Sequence, residues 1–213
     1  MKQPAHQAVY EHLRDHILFG ELAPGQAVTI QGLTEQLDAG MTPVREAIRR
    51  LTSDGALNMM GNRRVIVPEL TEDCLEELEY MRQSLEPQLA RRAIQHITDD
   101  DIDALKQLDD SLNIAIEMGD IGAYLKQNYG FHAALYALAQ APIIAATVDR
   151  LWLQFGPSLR VVCGRYGTLN LPDKHADLLS ALQSGDGDAA ERAMVGDVQQ
   201  GMSQIRSALR TNT

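Results

Sequence analysis

The chain has 213 residues, enough for one or two domains with a usable core, and a formal charge of −10, which argues against a protein that coats nucleic acid without selectivity. Cys74 and Cys163 stand alone, which excludes a disulfide framework and any Cys-x-x-Cys or Cys/His metal motif. With no apolar leader at the N-terminus and no run of about 18 apolar residues, a reduced cytoplasmic protein that makes no membrane contact is expected.

The charge is unevenly spread. Residues 1–70 hold 7 Lys/Arg and 8 Asp/Glu, so −9 of the total falls in residues 71–213. A first helix is predicted from His6 to Phe19, with Val9, Leu13, Ile17 and Leu18 inward, followed by a turn over Gly20–Gly25. A short helix over Gln31–Leu37 carries Leu33 and Leu37 at i,i+4. Asp38-Ala39-Gly40 breaks it, with Gly40 the expected residue for a positive φ. Thr42 suits an N-cap, Pro43 the first helical position and Glu46 the first turn of the next helix. Val44, Ile48 and Leu51 face inward on that helix and leave Arg45, Arg49 and Arg50 available on its other sides. Two short strands, Ala56–Met60 and Val65–Pro68, then flank Gly61-Asn62-Arg63 as a basic hairpin that also carries Arg64. Two helices about a tight corner, the second bearing solvent-facing arginines, are what insertion into a DNA groove requires.

Pro68–Thr71 is a short linker, so the two domains are expected to communicate by direct packing. Six helices are predicted beyond it: Thr71–His96, Thr98–Met118, Asp120–Gln140, Pro142–Gly164, Pro172–Ser184 and Asp186–Arg210. Thr98-Asp99-Asp100-Asp101 and Gly185-Asp186-Gly187-Asp188 place acidic groups at the positive ends of helix dipoles. No strand alternation or repeat interrupts this half, which reads as a helical bundle.

Three of these helices carry ligand-type side chains on apolar faces. Asn128 and His132 are i,i+4 neighbours in a stripe with Leu125, Leu135 and Tyr136. His175 shares its face with Leu178, Leu179 and Leu182, and Asp197 lies in line with Ala190, Met194 and Gly201. A buried carboxylate costs several kcal/mol, roughly, unless it is neutralised, paired or bound to metal. Two imidazoles, a carboxylate and an amide oxygen suit a divalent cation with one position left open. Trp152 and Tyr136 read as core rather than ligand wall. A metal-bound water could support hydrolysis, but no second placed base, nucleophile motif or Gly-rich phosphate loop accompanies the cluster.

Glu21-Leu22-Ala23-Pro24-Gly25, the helix Thr42-Pro43-Val44-Arg45-Glu46-Ala47-Ile48-Arg49-Arg50-Leu51, Gly55 and Asn62-Arg63-Arg64 together resemble the winged helix-turn-helix of GntR-family regulators. The resemblance is strong over Val9–Val67 and continues through Thr213 as the all-helical effector domain of the FCD branch. It implies a mostly α fold, with a winged helix-turn-helix DNA-binding domain over residues 1–69 and an all-helical effector-binding and dimerisation domain over 70–213. The implied protein is a homodimeric transcriptional regulator, a repressor most often, that straddles a short palindromic operator on double-stranded DNA. By resemblance Thr42, Arg45 and Arg49 carry operator contacts, and the Gly61-Asn62 wing tip enters the minor groove. Met41 and Gln31 stand where relatives often place arginine, so the operator is expected to differ from the family's commonest sequence.

For the helical domain the resemblance implies a metal ion (Zn, Mn or Ni) that anchors a small carboxylate effector. The usual pattern is an Asp three residues before a Phe-His pair, a His opening the fifth helix and a His on the sixth. This chain offers Asn128, His132 after Phe131, His175, and Asp197 in place of the last His. Arg82 and Arg160 match positions where arginines face the effector cavity. The alternatives are a regulator for which the cation itself is the signal and, more remotely, a metal-dependent enzyme.

Overall fold

A computed structural model describes residues 5–61, 64–167 and 174–210. It divides into two compact units, one comprising residues up to Leu70 with Trp152–Val161, the other Thr71–Leu151 with Val162 onward. Helices dominate both, and the only sheet among the described residues is a small one of three strands.

In the first unit α1 (Ala5–Leu18) and α2 (Ile30–Gln36) pack on α3 (Met41–Ser53). Leu13, Ile17, Leu33, Val44, Ala47, Ile48 and Leu51 are buried in this core, as the i,i+4 and i,i+3 spacing predicts. Thr29 caps α2 by accepting a hydrogen bond from Gly32 N at 3.0 Å. The corner between α2 and α3 differs from expectation. Asp38, not Gly40, takes the positive φ, at 45°, a conformation that Asp tolerates better than most residues. Gly40 is extended, with φ −71°, and serves as the N-cap of α3; Met41 opens the helix, and Thr42 lies inside its first turn without capping it. Pro43 is tolerated in that turn, where its missing N–H had no helical partner to lose.

The wing contains one strand more than predicted. β1 (Ala27–Thr29) pairs antiparallel with β3 (Arg64–Ile66), which in turn pairs with β2 (Asn58–Met59), giving the order β1-β3-β2. Val28 lies opposite Val65, and the buried Val65 and Val67 tie the sheet to the helical core. Residues Trp152–Val161 join this unit along α1: Arg160 donates from Nη1 to Phe19 O at 3.2 Å, and Gly156 lets Leu18 O approach so closely that a Cβ there would lie 2.7 Å from it.

The second unit contains α4 (Glu72–Ala93), α5 (Asp99–Met118), α6 (Ile121–Leu138), the two ends of α7 (Pro142–Tyr166), α8 (His175–Ser184) and α9 (Gly187–Arg210). The six helices predicted over this stretch are all present. Thr98 caps α5 in a reciprocal capping box with Asp101, whose carboxyl is held below its usual range by the Thr98 hydroxyl and N–H. Asp120 and Asp186 accept hydrogen bonds from backbone N–H groups three residues on, at 2.9 Å each. α4 lies along α9, α5 along α6, and α8 packs on α5 and α9. Leu75, Leu89, Leu105, Leu112, Phe131, Leu135, Met194 and Met202 fill the core between them. No helix among the described residues is long and apolar enough to cross a membrane.

Candidate metal centre and nucleic-acid face

α6 delivers His132, the first residue of α8 is His175, and α9 delivers Asp197. One ligand atom from each lies within 4.8 Å of the others. His132 Nε2 is 3.4 Å from His175 Nε2 and 3.3 Å from Asp197 Oδ2. Both histidines are 1 % exposed, so three helices bring these donors together inside the bundle. Burial alone would raise the Asp197 carboxyl, but the charge and hydrogen bond of His132, with His175 and Arg82, outweigh it and hold the group down at about 2. Asn128 is half-buried one turn before His132 on the same helix.

Each imidazole is also gripped on its far side. His175 Nδ1 lies 2.9 Å from Asp109 Oδ1, and its ring stacks on Phe131 with centroids 3.9 Å apart. Asn113 donates to the other Asp109 oxygen at 3.4 Å. His132 Nδ1 lies 3.1 Å from the Tyr136 hydroxyl, which donates to Glu86 Oε2 at 2.6 Å. Arg82 closes the chain with two bonds to Glu86, at 2.5 and 3.1 Å, and a third to Met202 Sδ at 3.4 Å. Burial opposes the Arg82 charge, but Glu86 more than compensates. Tyr136 is pushed well above its usual range by burial and by the Glu86 charge, so its hydroxyl keeps its proton.

Two of the expected residues have other partners here. Arg82 is 3 % exposed, and two nitrogens of its guanidinium bond Glu86, one turn further along α4. Arg160 lies in the first unit, on the C-terminal end of α1, rather than in the helical bundle. Asp109 and Glu86 were missed by sequence reasoning. The available signal was a carboxylate within an apolar stripe: Ile102, Leu105, Asp109 and Leu112 on α5, and Leu75, Leu78, Arg82, Glu86 and Leu89 on α4.

The candidate nucleic-acid face is built on α3. Thr42, Arg45 and Arg49 line a shallow groove of about 520 Å³ together with Pro43, Glu46 and His6. Arg45 and Arg49 also border a hollow of about 310 Å³ whose other walls include Ile30, Ile48 and Met59. Arg49 makes a two-pronged bond to Glu46, at 2.6 and 3.1 Å, which raises the guanidinium and lowers the carboxyl. Met41 is 47 % exposed at the start of the helix. Gln31 is exposed on α2 and bonded to Glu35 at 3.1 Å, while Gly61 and Arg64 are exposed on the wing. Asn62 and Arg63 lie outside the described residues.

Arg50 departs from the expected set. Its guanidinium sits 3.7 Å from the centre of the Tyr10 ring and donates to Gln7 Oε1 at 3.1 Å, so it fastens α3 to α1. The reason is angular: on a helix Arg50 is turned about 140° from Arg45, away from the groove. His6, from the first turn of α1, takes a place on that face which the sequence did not reveal.

Comparison with known proteins gives the fold its relatives. Residues 5–67 match the family model for bacterial regulatory proteins of the gntR family, and residues 77–200 match that of the FCD domain. The chain is 30% identical to the HTH-type transcriptional regulator McbR of Escherichia coli K12 over 90% of its own length and 88% of that protein's. It is 28% identical to the HTH-type transcriptional repressor RspR of the same organism, over 99% of this chain and 93% of that one. The solved structure of E. coli McbR/YncC superposes with a TM-score of 0.91, covering 97% of this chain and 99% of the other at 28% identity.

Proposed function

The chain belongs to the GntR family of bacterial transcriptional regulators, in its FCD branch, and is no enzyme; from that premise we propose that it is a metal-dependent repressor released by a small carboxylate. A homodimer would present two α3 helices to the halves of a short palindrome, with Thr42, Arg45 and Arg49 at each major groove and Gly61, Asn62, Arg63 and Arg64 on the wing. Arg49 would exchange Glu46 for DNA, and Met41 and Gln31 would set where the operator departs from that of relatives.

The observation that carries the effector side is the buried convergence of His132, His175 and Asp197 within 4.8 Å. Two imidazole nitrogens and a carboxylate oxygen fit Zn, Mn or Ni, and Asn128 is the candidate fourth donor. When bound, the cation would supply an open position for an effector carboxylate. A ligand moves the dimer off its operator only through different affinities for the two dimer geometries.

The test pairs elemental analysis with operator binding, on wild type and on His132→Ala/His175→Ala. About one metal per chain in wild type, none in the variant, and release of operator on adding a panel of small carboxylates to the metal-loaded protein is the expected result. Release on chelation alone, with no organic ligand, would make the cation the signal. Absence of metal uptake after incubation with Zn, Mn and Ni would overturn the reading.

A further inference from the structure

We propose that Asp109 and the Glu86–Tyr136 pair are positioning residues of the metal centre: they lock both imidazoles in the tautomer that turns Nε2 toward the same point. The inference rests on the metal reading above and adds the residues that prepare the ligands.

The tautomers follow from what each partner can do. A carboxylate only accepts hydrogen bonds, so the 2.9 Å contact between Asp109 Oδ1 and His175 Nδ1 requires the proton to be on Nδ1. Asn113 and the Phe131 stack hold that carboxylate and that ring in place. The second imidazole is set by one more link. Tyr136 has a single hydroxyl proton, and Glu86, gripped by Arg82, can only accept it at 2.6 Å. The Tyr136 oxygen must then accept at its 3.1 Å contact with His132, which places the His132 proton on Nδ1 as well. With a proton on each Nδ1, both Nε2 atoms face the same point, 3.4 Å apart, and His132 Nε2 also contacts the Asp197 carboxylate at 3.3 Å. A cation at that point would meet both imidazole nitrogens and the Asp197 carboxylate at once. Imidazole ligands held by a carboxylate or by another acceptor are more basic and better oriented, and losing that support costs about 10–100-fold in metal affinity.

This gives Arg82 a different task from binding effector. It holds Glu86, Glu86 holds the Tyr136 proton, and Tyr136 thereby orients a ligand on a different helix. The links run from α4 to α6, and separately from α5 to α8.

The test is Zn affinity by competition with a chromophoric chelator, together with ¹⁵N correlation spectra of histidine-labelled full-length protein, for wild type, Asp109→Ala, Asp109→Asn and Tyr136→Phe. Asp109→Ala and Tyr136→Phe are each expected to bind Zn about 10–100-fold more weakly. Asp109→Asn keeps an acceptor for Nδ1–H and is expected to recover part of the loss. In metal-free wild type both rings should carry a proton on Nδ1. Tyr136→Phe should release that constraint for His132 alone, and Asp109→Ala for His175 alone. Wild-type affinity in both variants, or an unprotonated Nδ1 on either ring of wild type, overturns the inference. If wild type takes up no metal, the metal reading fails by itself, and the ring protons still decide whether the positioning residues act as described.

Discussion

Arg82→Met separates a structural arginine from an effector-binding one. Arg82 and Glu86 are 3 % and 0 % exposed, and two hydrogen bonds join them. Methionine keeps most of the length and apolar contact of the stem but leaves Glu86 as an uncompensated charge in the core. Breaking a pair of this kind costs about 3–5 kcal/mol, against roughly 5–15 kcal/mol for a whole domain. With a urea slope of about 2 kcal/mol per molar, the unfolding midpoint of the second unit should fall by about 2 M. The double variant Arg82→Met/Glu86→Leu removes both charges and should regain about half of that loss, keeping a deficit of about 1–3 kcal/mol for the Tyr136 hydroxyl deprived of its Glu86 acceptor. Urea titrations followed by circular dichroism on the four corners of this cycle give the coupling directly. An Arg82→Met midpoint indistinguishable from wild type would refute the reasoning and return Arg82 to the ligand-facing role implied by resemblance.

Gly156→Ala should destabilise the first unit by about 1–2 kcal/mol, because the crowding expected where the new Cβ meets Leu18 O at 2.7 Å exceeds the usual helix gain of about 0.5–1 kcal/mol. Gly196→Ala, whose Cβ meets nothing within 4 Å, should show that gain instead, so thermal melts of the two variants should move in opposite directions. Met41→Arg should shift operator preference toward a guanine in each half-site, by about 1–3 kcal/mol per pair; an unchanged profile in binding-site selection would contradict it. The Asp197 carboxyl is lowered in the folded chain to about 2, so its contribution is complete above pH about 4 and is lost as pH falls toward 2. The loss should amount to about 2 kcal/mol in metal-free protein, and Asp197→Asn should flatten that part of the acid-unfolding curve.

Much of this was legible because long amphipathic helices announce themselves. Val44, Ile48 and Leu51 placed Arg45 and Arg49 on the outer face of α3, and the ligand-type residues on apolar stripes pointed to the cluster of His132, His175 and Asp197, which periodicity alone could not bring together. What escaped had physical reasons. Ala27–Thr29 is too short to show a strand period, and only pairing with Arg64–Ile66 makes it a strand. Asp38 and Gly40 both tolerate a left-handed backbone, so local chemistry could not choose between them. Arg82 read as a candidate ligand because its partner went unnoticed, although Glu86 lies four residues on and in the same buried stripe. Asp109 was hidden behind the acidic start of its own helix, where Asp99, Asp100 and Asp101 made another carboxylate look unexceptional.

On the proposed metal reading, the arrangement of these groups would let one small site act on a whole helical unit. Its three donors come from α6, α8 and α9, while the groups behind the imidazoles come from α4, α5 and α6. α8 is the shortest of these helices, and its first residue, His175, is held at once by Asp109 and by Phe131. A ligand that binds only the folded arrangement stabilises it by about 2.7 kcal/mol at one hundred times its dissociation constant. Spread over five helices, that energy favours the packing in which all the ligands point inward over any in which one helix has shifted. A carboxylate joining the same cation would therefore act on the relative positions of several helices together, which is what a switch read out through dimer geometry needs.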